Sequence, residues 1–270
     1  MLIDLNGKVV IVTGAARGIG AGITAAFVRE GSTTIALDVL EGDLAQTAEV
    51  IAQGSGGGSV YACDVRDGAR VDDIVTDVVA RFGRVDVLVN NAGVVAGGEL
   101  VEELDDATWD RVFDVNMKGI FHLCKAVIPV MKAQHSGRII NSSSFAAISP
   151  LVGGALYAAS KSAVTQFTRT LAGELGPWNI TANSYAPGMI PTALGRFGEM
   201  STKQQERYLD TLTLRRWGKP SEIADLVCFL ASDFADYITG VLIDVSGGKL
   251  ATQQPRMAYE RAAAVGDFSF

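Results

Sequence analysis

Lys8-Val9-Val10-Ile11-Val12-Thr13-Gly14-Ala15-Ala16-Arg17-Gly18-Ile19-Gly20 is the stretch whose reading decides the fold. Its first half is a run of β-branched apolar residues, bounded by Asn6-Gly7 and Gly14. Such a run predicts a strand buried on both faces, as in a parallel sheet. After Gly20 come Ile23, Phe27 and Val28 with alanines between, an apolar pattern of helical period. Strand, glycine-rich turn and helix together aim backbone N–H groups and a helix N-terminus at a pyrophosphate. Gly14 allows the tight turn, Gly18 lets the chain approach the phosphates, and Gly20 lets helix and strand pack closely. The spacing is G-x-x-x-G-x-G rather than G-x-G-x-x-G. Three glycines mean little in a chain with 30, so nucleotide binding rests on the flanking strand and helix. A plain strand-to-helix turn is the competing interpretation.

The rest of the chain continues the alternation. Thr33 to Leu37 reads as a second strand ending at Asp38, placed to accept hydrogen bonds from the adenosine ribose hydroxyls and to repel a 2′-phosphate. That points to NAD rather than NADP, although Arg17 in the glycine turn keeps a 2′-phosphate partner in view. Glu41 to Gln53 is a helix, and Gly54 to Gly58 a surface connector. Ser59 to Cys63 is a third strand, followed by Asp64-Val65, where an acid can meet an adenine amino group. Val71 to Phe82 is a helix, and Val85 to Val89 a strand ending in Asn90-Asn91-Ala92-Gly93. Leu104 to Met131 reads as one long helix with Trp109, Val112, Phe113, Met117, Phe121 and Val127 as its packing stripe. Asn116 is an indifferent helix former in its interior and Gly119 follows, which predicts a local irregularity. Gly137 to Asn141 is a fifth strand running into Ser142-Ser143-Ser144.

Tyr157 and Lys161, four residues apart, share one face of a helix that continues through Leu175. A phenol with pKa about 10 is a poor base at neutral pH. A neighbouring ammonium lowers that value by roughly 1–3 pH units, so the pair forms a proton-transfer device. Read alone, such a pair is more often an amphipathic packing pair. Ser144 lies upstream, and Pro150 and Gly153-Gly154 let the chain fold back to bring both hydroxyls together. Ile180 to Tyr185 is a sixth strand ending in Ala186-Pro187-Gly188. Residues 189–217 form a partly helical lid, with a helix over Thr202 to Leu212. A helix over Ser221 to Leu230 and a strand over Gly240 to Val245 follow, then a polar, alanine-rich tail. The β/α order implies a single doubly wound parallel sheet across residues 1–270, with a C-terminal extension from about 249.

Composition sets the bounds. With 270 residues, 48% hydrophobic and 20% charged, the chain is globular in type. A net charge of −7 argues against nucleic acid as a partner. Cys63, Cys124 and Cys228 lie far apart without metal-ligand spacing, so free buried thiols and no metal are expected. No run approaches the ~18 apolar residues of a membrane span, and no leader pattern is seen at the start, so a cytoplasmic protein is the default.

Thr13-Gly-x-x-x-Gly-x-Gly20, Asn90-Asn-Ala-Gly93, Asn116, Ser144, Tyr157-x-x-x-Lys161 and Pro187-Gly188 together resemble the short-chain dehydrogenase/reductase family over residues 5–250. The resemblance implies a seven-stranded Rossmann fold of order 3-2-1-4-5-6-7. It implies that Tyr157 is the general acid/base, that Ser144 polarises the substrate oxygen, and that Lys161 holds the nicotinamide ribose and keeps the tyrosine pKa low. Asn116 would fix a water in a proton relay. Cofactor contacts are expected at Gly14, Arg17, Gly18, Ile19, Gly20, Asp38, Asp64, Val65, Asn91, Ala92, Gly93, Pro187, Gly188, Ile190 and Thr192, besides Tyr157 and Lys161. A homotetramer built on the helices at 104–133 and 155–176 is the family expectation. Two substrate classes compete: a small secondary alcohol, polyol or sugar, and a 3-oxoacyl thioester on an acyl carrier. The thioester enzymes usually prefer NADPH, which Asp38 opposes; Arg196, Arg207, Arg215 and Arg216 would suit an acidic carrier. The expectation favours NAD and the small alcohol or ketone. A non-catalytic NAD sensor would usually lack the Tyr or Lys that are present here.

Overall fold

Val9–Thr13 (β1) is buried at all five positions, and its residues divide by parity between two cores. Val9 and Ile11 face one layer of helices, Val10 and Val12 the other. That is the physical meaning of an uninterrupted apolar run: each face of the strand has its own partner. The computed structural model describes residues 3–192, 197, 200–249 and 251–266. Around β1 the other strands are β2 (Thr33–Asp38), β3 (Gly58–Ala62), β4 (Val87–Asn90), β5 (Gly137–Ser142), β6 (Ile180–Pro187) and β7 (Leu242–Val245). They form one seven-stranded sheet in the order β3-β2-β1-β4-β5-β6-β7, with every neighbouring pair parallel. The sheet is the one the family resemblance implies.

Helices α1 (Gly18–Arg29), α2 (Glu41–Gln53) and α8 (Pro220–Ala231) contribute to the core that holds Val10 and Val12. Helices α3 (Gly68–Phe82), α5 (Gly119–Gln134) and α6 (Ala155–Leu175) cover the opposite face. A Cβ on Gly20 would lie 1.9 Å from the Gly14 carbonyl oxygen. No side chain fits there, so α1 meets the end of β1 only because position 20 is glycine.

Besides shifts of two or three residues at the starts of α3 (expected from Val71), β4 (expected from Val85) and β7 (expected from Gly240), four expectations change. The helix read over 104–131 is three pieces: α4 (Asp106–Phe113), a single π-helical turn Asp114–Lys118, and α5. The π turn falls on Asn116, where an irregularity was expected; such turns often mark functional sites. The helix expected over 202–212 is α7 (Thr202–Leu209), started by a Ser201/Gln204 capping box and followed by turns. The sixth strand runs two residues further, because Ala186 and Pro187 pair with Asp244 and Val245. The tail carries a helix of its own, α9 (Arg256–Ala264), held by Arg256 on Asp210 at 2.7 Å and by the Tyr259 hydroxyl on the Thr213 carbonyl at 2.7 Å.

Beneath the strand ends runs a buried polar chain. Asn90 donates to Asn141 Oδ1 at 2.8 Å, and Asn141 donates to the Thr168 hydroxyl of α6 at 2.9 Å. Replacing Asn141 by Ala strands the buried Asn90 donor, which should cost about 1–3 kcal/mol. Urea unfolding should show that loss in the midpoint with an unchanged slope; a midpoint equal to wild type would mean the chain of amides does not tie β4, β5 and α6 together.

Candidate active site

The carboxyl ends of β1, β2, β4, β5 and β6 open into one cleft of about 960 Å³. Its wall starts at the glycine turn. Gly18 lies at φ +59°, a left-handed conformation natural to glycine. A Cβ there would come 3.3 Å from Thr192 Cγ2 across the cleft. Arg17, the residue before α1, provides no side-chain cap, and the first turn of α1 has no acidic residue. The N-terminal N–H groups of α1 thus meet the cleft with no protein carboxylate competing for them.

Thr13 fixes where the cleft begins. Its hydroxyl accepts from Asn91 N–H at 3.0 Å and Ala92 N–H at 3.1 Å, pinning the end of β1 to the end of β4. The Asn91 amide donates to the carbonyls of Thr13 and Gly14 at 3.1 Å each, and its oxygen accepts from the Tyr185 hydroxyl at 3.1 Å. Asp38, at the end of β2, is buried and accepts from Ala16 N–H at 2.9 Å and Leu40 N–H at 3.0 Å. It therefore supports the glycine turn as well as facing the cleft. Asp64 is gripped by Arg66, whose guanidinium lies 2.6 Å from Oδ2, and this bond holds the carboxyl below its usual range.

Ser144 and Tyr157 meet, as the loop between them requires. Ser144 accepts from Ala146 N–H at 3.1 Å, and its hydroxyl lies near enough to the Tyr157 phenol to oppose the effect of burial on it. Lys161 is 2% exposed and donates to the Ser142 carbonyl at 2.8 Å. Its Nζ lies 5.8 Å from the centre of the Tyr157 ring. Burial pushes the lysine down to about 8. The expected depression of the tyrosine is reversed: burial raises the Tyr157 phenol, and the Ser144 hydrogen bond is the only opposing cause. Desolvation disfavours both charged forms here, so the pair is held towards neutral phenol.

The predicted cofactor residues Gly14, Arg17, Gly18, Ile19, Gly20, Asp38, Asp64, Val65, Asn91, Ala92, Gly93, Pro187, Gly188, Ile190 and Thr192 all line this one cleft, together with Ser144, Tyr157 and Lys161. Asn116 does not. It is fully buried behind the wall; its oxygen accepts from Val94 N–H at 2.8 Å, and its nitrogen donates to the Val94 carbonyl at 2.9 Å and the Ser160 hydroxyl at 3.0 Å. Both amide protons are used, so the side chain ties the β4 extension to α6. Of the arginines read as a rim for an acidic carrier, Arg215 is bound to Glu206 and Asp210, and Arg216 is 2.5 Å from Glu222. Arg207 is exposed, and Arg196 lies outside the described residues. Sequence reasoning missed Lys249, which lines the cleft beyond β7. Its place after Gly247-Gly248 at a strand's carboxyl end was the available signal.

Residues 14–249 match the family described as enoyl-(acyl carrier protein) reductase. The 3-oxoacyl-[acyl-carrier-protein] reductase FabG of Thermotoga maritima is 40% identical over 244 residues, 90% of this chain and 98% of that protein. This chain belongs to the short-chain dehydrogenase/reductase family. The short-chain reductase protein NovJ of Streptomyces niveus is 39% identical over 90% of this chain and 94% of its own length. A crystal structure of a putative short-chain alcohol dehydrogenase from Sinorhizobium meliloti 1021 superposes with a TM-score of 0.88 at 34% identity, covering 93% of this chain and all of that one (100%). The family works with a nicotinamide cofactor. The uncapped start of α1, the glycine turn and the buried lysine beside a phenol are donors that fit such a dinucleotide.

The depressed lysine makes a stability prediction. Its folded pKa of about 8 lies below the ordinary lysine value of 10.5. The unfolded chain therefore binds the proton more tightly, and the cost of burying the charged amine is fully present below about 8. It is relieved as pH rises towards 10.5. Lys161→Met should exceed wild type in melting temperature most at pH 7, and the gap should narrow between pH 8 and 10.5. A gap that does not change with pH would mean that Lys161 titrates as an exposed lysine does.

Proposed function

We propose that the chain is an NAD-dependent oxidoreductase interconverting a 3-oxoacyl compound and its 3-hydroxy form. The observation that carries the reading is one cleft with Ser144, Tyr157 and Lys161 at one end and Asp38 at the other. The relatives named as 3-oxoacyl reductases support this substrate class over the polyol or sugar alcohol favoured by sequence reasoning alone. A simple secondary alcohol remains the second reading, supported by the likeness to the Sinorhizobium alcohol dehydrogenase structure and by the ion-paired state of Arg215 and Arg216.

When bound, the nicotinamide exchanges a hydride with the substrate carbon. The protein handles the oxygen. Ser144 donates a hydrogen bond to it, and Tyr157 gives or takes its proton. In reduction, carbon gains the hydride with its electron pair and oxygen gains the phenolic proton, which solvent replaces. A phenol raised by burial is protonated at neutral pH, a state suited to the reductive direction. Lys161, anchored on Ser142, is placed to hold the nicotinamide ribose. The support for NAD over NADP is Asp38 at the end of β2, since a carboxylate there repels a 2′-phosphate. The assembly expected from the family, a homotetramer, belongs to the same proposal.

Tyr157→Phe should lower kcat by about 10²–10⁴ while NAD still binds with wild-type affinity in a fluorescence titration. Turnover near wild type would remove Tyr157 from the acid–base role. Separately, wild type should show higher kcat/KM with NAD⁺ than with NADP⁺, and Asp38→Ser should bring the two closer. Preference of the wild type for NADP⁺ would overturn the assignment of Asp38.

A further inference from the structure

Three of the five cations that line the cleft are engaged by the protein, and Arg17 and Lys249 are not, among the described residues. Arg66 is held by Asp64, Arg111 donates to the Val95 carbonyl at 3.2 Å, and Lys161 donates to Ser142. Arg17 stands at the glycine turn, where phosphates are expected. Lys249 is different. Among the described residues its Nζ has no hydrogen-bond or ion-pair partner, yet the side chain is half-buried.

It is not a loose surface lysine. Gly247 and Gly248, at φ +68° and +74°, turn the chain back after β7. That turn is clamped: Leu214 N–H donates to the Gly247 carbonyl at 3.0 Å, and the Thr213 hydroxyl donates to the Gly248 carbonyl at 2.8 Å. Lys249 N–H donates to the Ser246 hydroxyl at 3.1 Å. The backbone of Lys249 is thereby fixed over the cleft. The ammonium sits 5.3 Å from the centre of the Phe145 ring and 5.7 Å from that of Tyr208. Two aromatic rings favour a cation there but satisfy none of its three N–H donors. Phe145 directly follows Ser144, and both line the cleft with Lys249, so the charge belongs to the part of the cleft that holds Ser144.

Among the described residues no protein anion in the cleft answers it. Asp38 and Asp64 are the only carboxylates that line the cleft among the described residues. Both stand at the ends of β2 and β3, and both are engaged by the protein. A half-buried ammonium without a counter-ion is unfavourable, and burial lowers the Lys249 pKa accordingly. An anionic group on the substrate would relieve that cost. A large acidic carrier is the poorer match, since Arg215 and Arg216 are already ion-paired.

Building on the 3-oxoacyl reading above, we propose that Lys249 binds a carboxylate on the substrate, so that the enzyme acts on free 3-oxo and 3-hydroxy acids in preference to their thioesters. The carboxylate is a spectator: in oxidation the hydroxyl carbon loses a hydride to NAD⁺, the hydroxyl oxygen loses its proton through Tyr157, and the carboxylate keeps its charge on Lys249.

The test compares kcat/KM for NADH-dependent reduction of a short 3-oxo acid, its methyl ester, its N-acetylcysteamine thioester and its coenzyme A thioester. The acid should exceed the ester by about 10–100-fold, the size of one charge-assisted contact. In Lys249→Gln that ratio should collapse towards one through a higher KM for the acid. Lys249→Arg should restore most of it, and NAD affinity should stay at the wild-type value in both. Equal use of acid and neutral ester by wild type, or equal losses on both in Lys249→Gln, would overturn the carboxylate assignment while leaving the 3-oxoacyl reading standing. A Lys249 dependence seen with the coenzyme A thioester but not with the free acid would overturn it in favour of a phosphate. Turnover of none of the four, with simple secondary alcohols oxidised, would overturn the 3-oxoacyl reading and the carboxylate site together.

Discussion

The seam between β1 and β4 is the constraint on which the cleft depends. Here the sheet's connections diverge to either side, and a crevice opens beyond the strand ends. A crevice between parallel strand ends exposes unpaired backbone groups that must be held without being filled. Thr13 meets that demand with one hydroxyl accepting two N–H groups, and Asn91 returns two bonds to the Thr13 and Gly14 carbonyls. Tyr185 then anchors Asn91 from β6. Three strands are tied by side chains at the level where their ladder ends. The glycine turn keeps its shape because its flanks cannot move.

A second clamp complements the first. The π turn at Asn116 inserts an irregularity into the long helical segment and leaves a fully buried amide facing two neighbours. That amide closes a two-point bond on Val94 and a third on Ser160, the residue before Lys161 on α6. Ser160 in turn donates to the Tyr157 carbonyl at 2.8 Å. Asn116 thus connects the wall after β4 to the helix that carries the phenol and the amine. Val94, Tyr157 and Lys161, which it holds directly or through Ser160, line the cleft.

The features legible in the sequence are those written in local pattern. Uninterrupted apolar runs mark buried parallel strands, and the glycine spacing marks the turn, because neighbours in sequence dictate both. The motif residues of the resemblance fall together in the structure for the same reason: most sit at the carboxyl end of a strand or on the following helix. What local pattern lacks is partnership across the fold. Asn116 reads as a poor helix former, but its partners are 22 and 44 residues away. Asp38 reads as an acid facing a ribose, whereas the fold also brings Ala16 N–H to it. The direction of the Tyr157 shift is not legible, because spacing reports proximity to a charge and not the depth of burial, and here burial dominates. The tail helix lacks an apolar stripe and is held by Asp210 and Thr213, which composition alone cannot indicate.

Two lysines in one cleft show how context divides identical side chains. Both are pulled away from the charged form by burial. Lys161 is fully buried but has a carbonyl acceptor at 2.8 Å, so part of its desolvation is offset within the protein. Lys249 is less buried, but its neighbours are aromatic faces, which attract charge without accepting its protons. A chain with net charge −7 has carboxylates to spare, yet those lining the cleft stand at its far end and hold backbone N–H groups or Arg66. The electrostatic field along the cleft is therefore uneven by construction. Carboxylates stand at the ends of β2 and β3, and two lysines line the part of the cleft that holds Ser144 and Tyr157, one of them without a hydrogen-bond or ion-pair partner among the described residues. On the proposed reading this unevenness places a short anionic substrate at the Ser144 end, since its carboxylate would meet like charge beside Asp38 and Asp64.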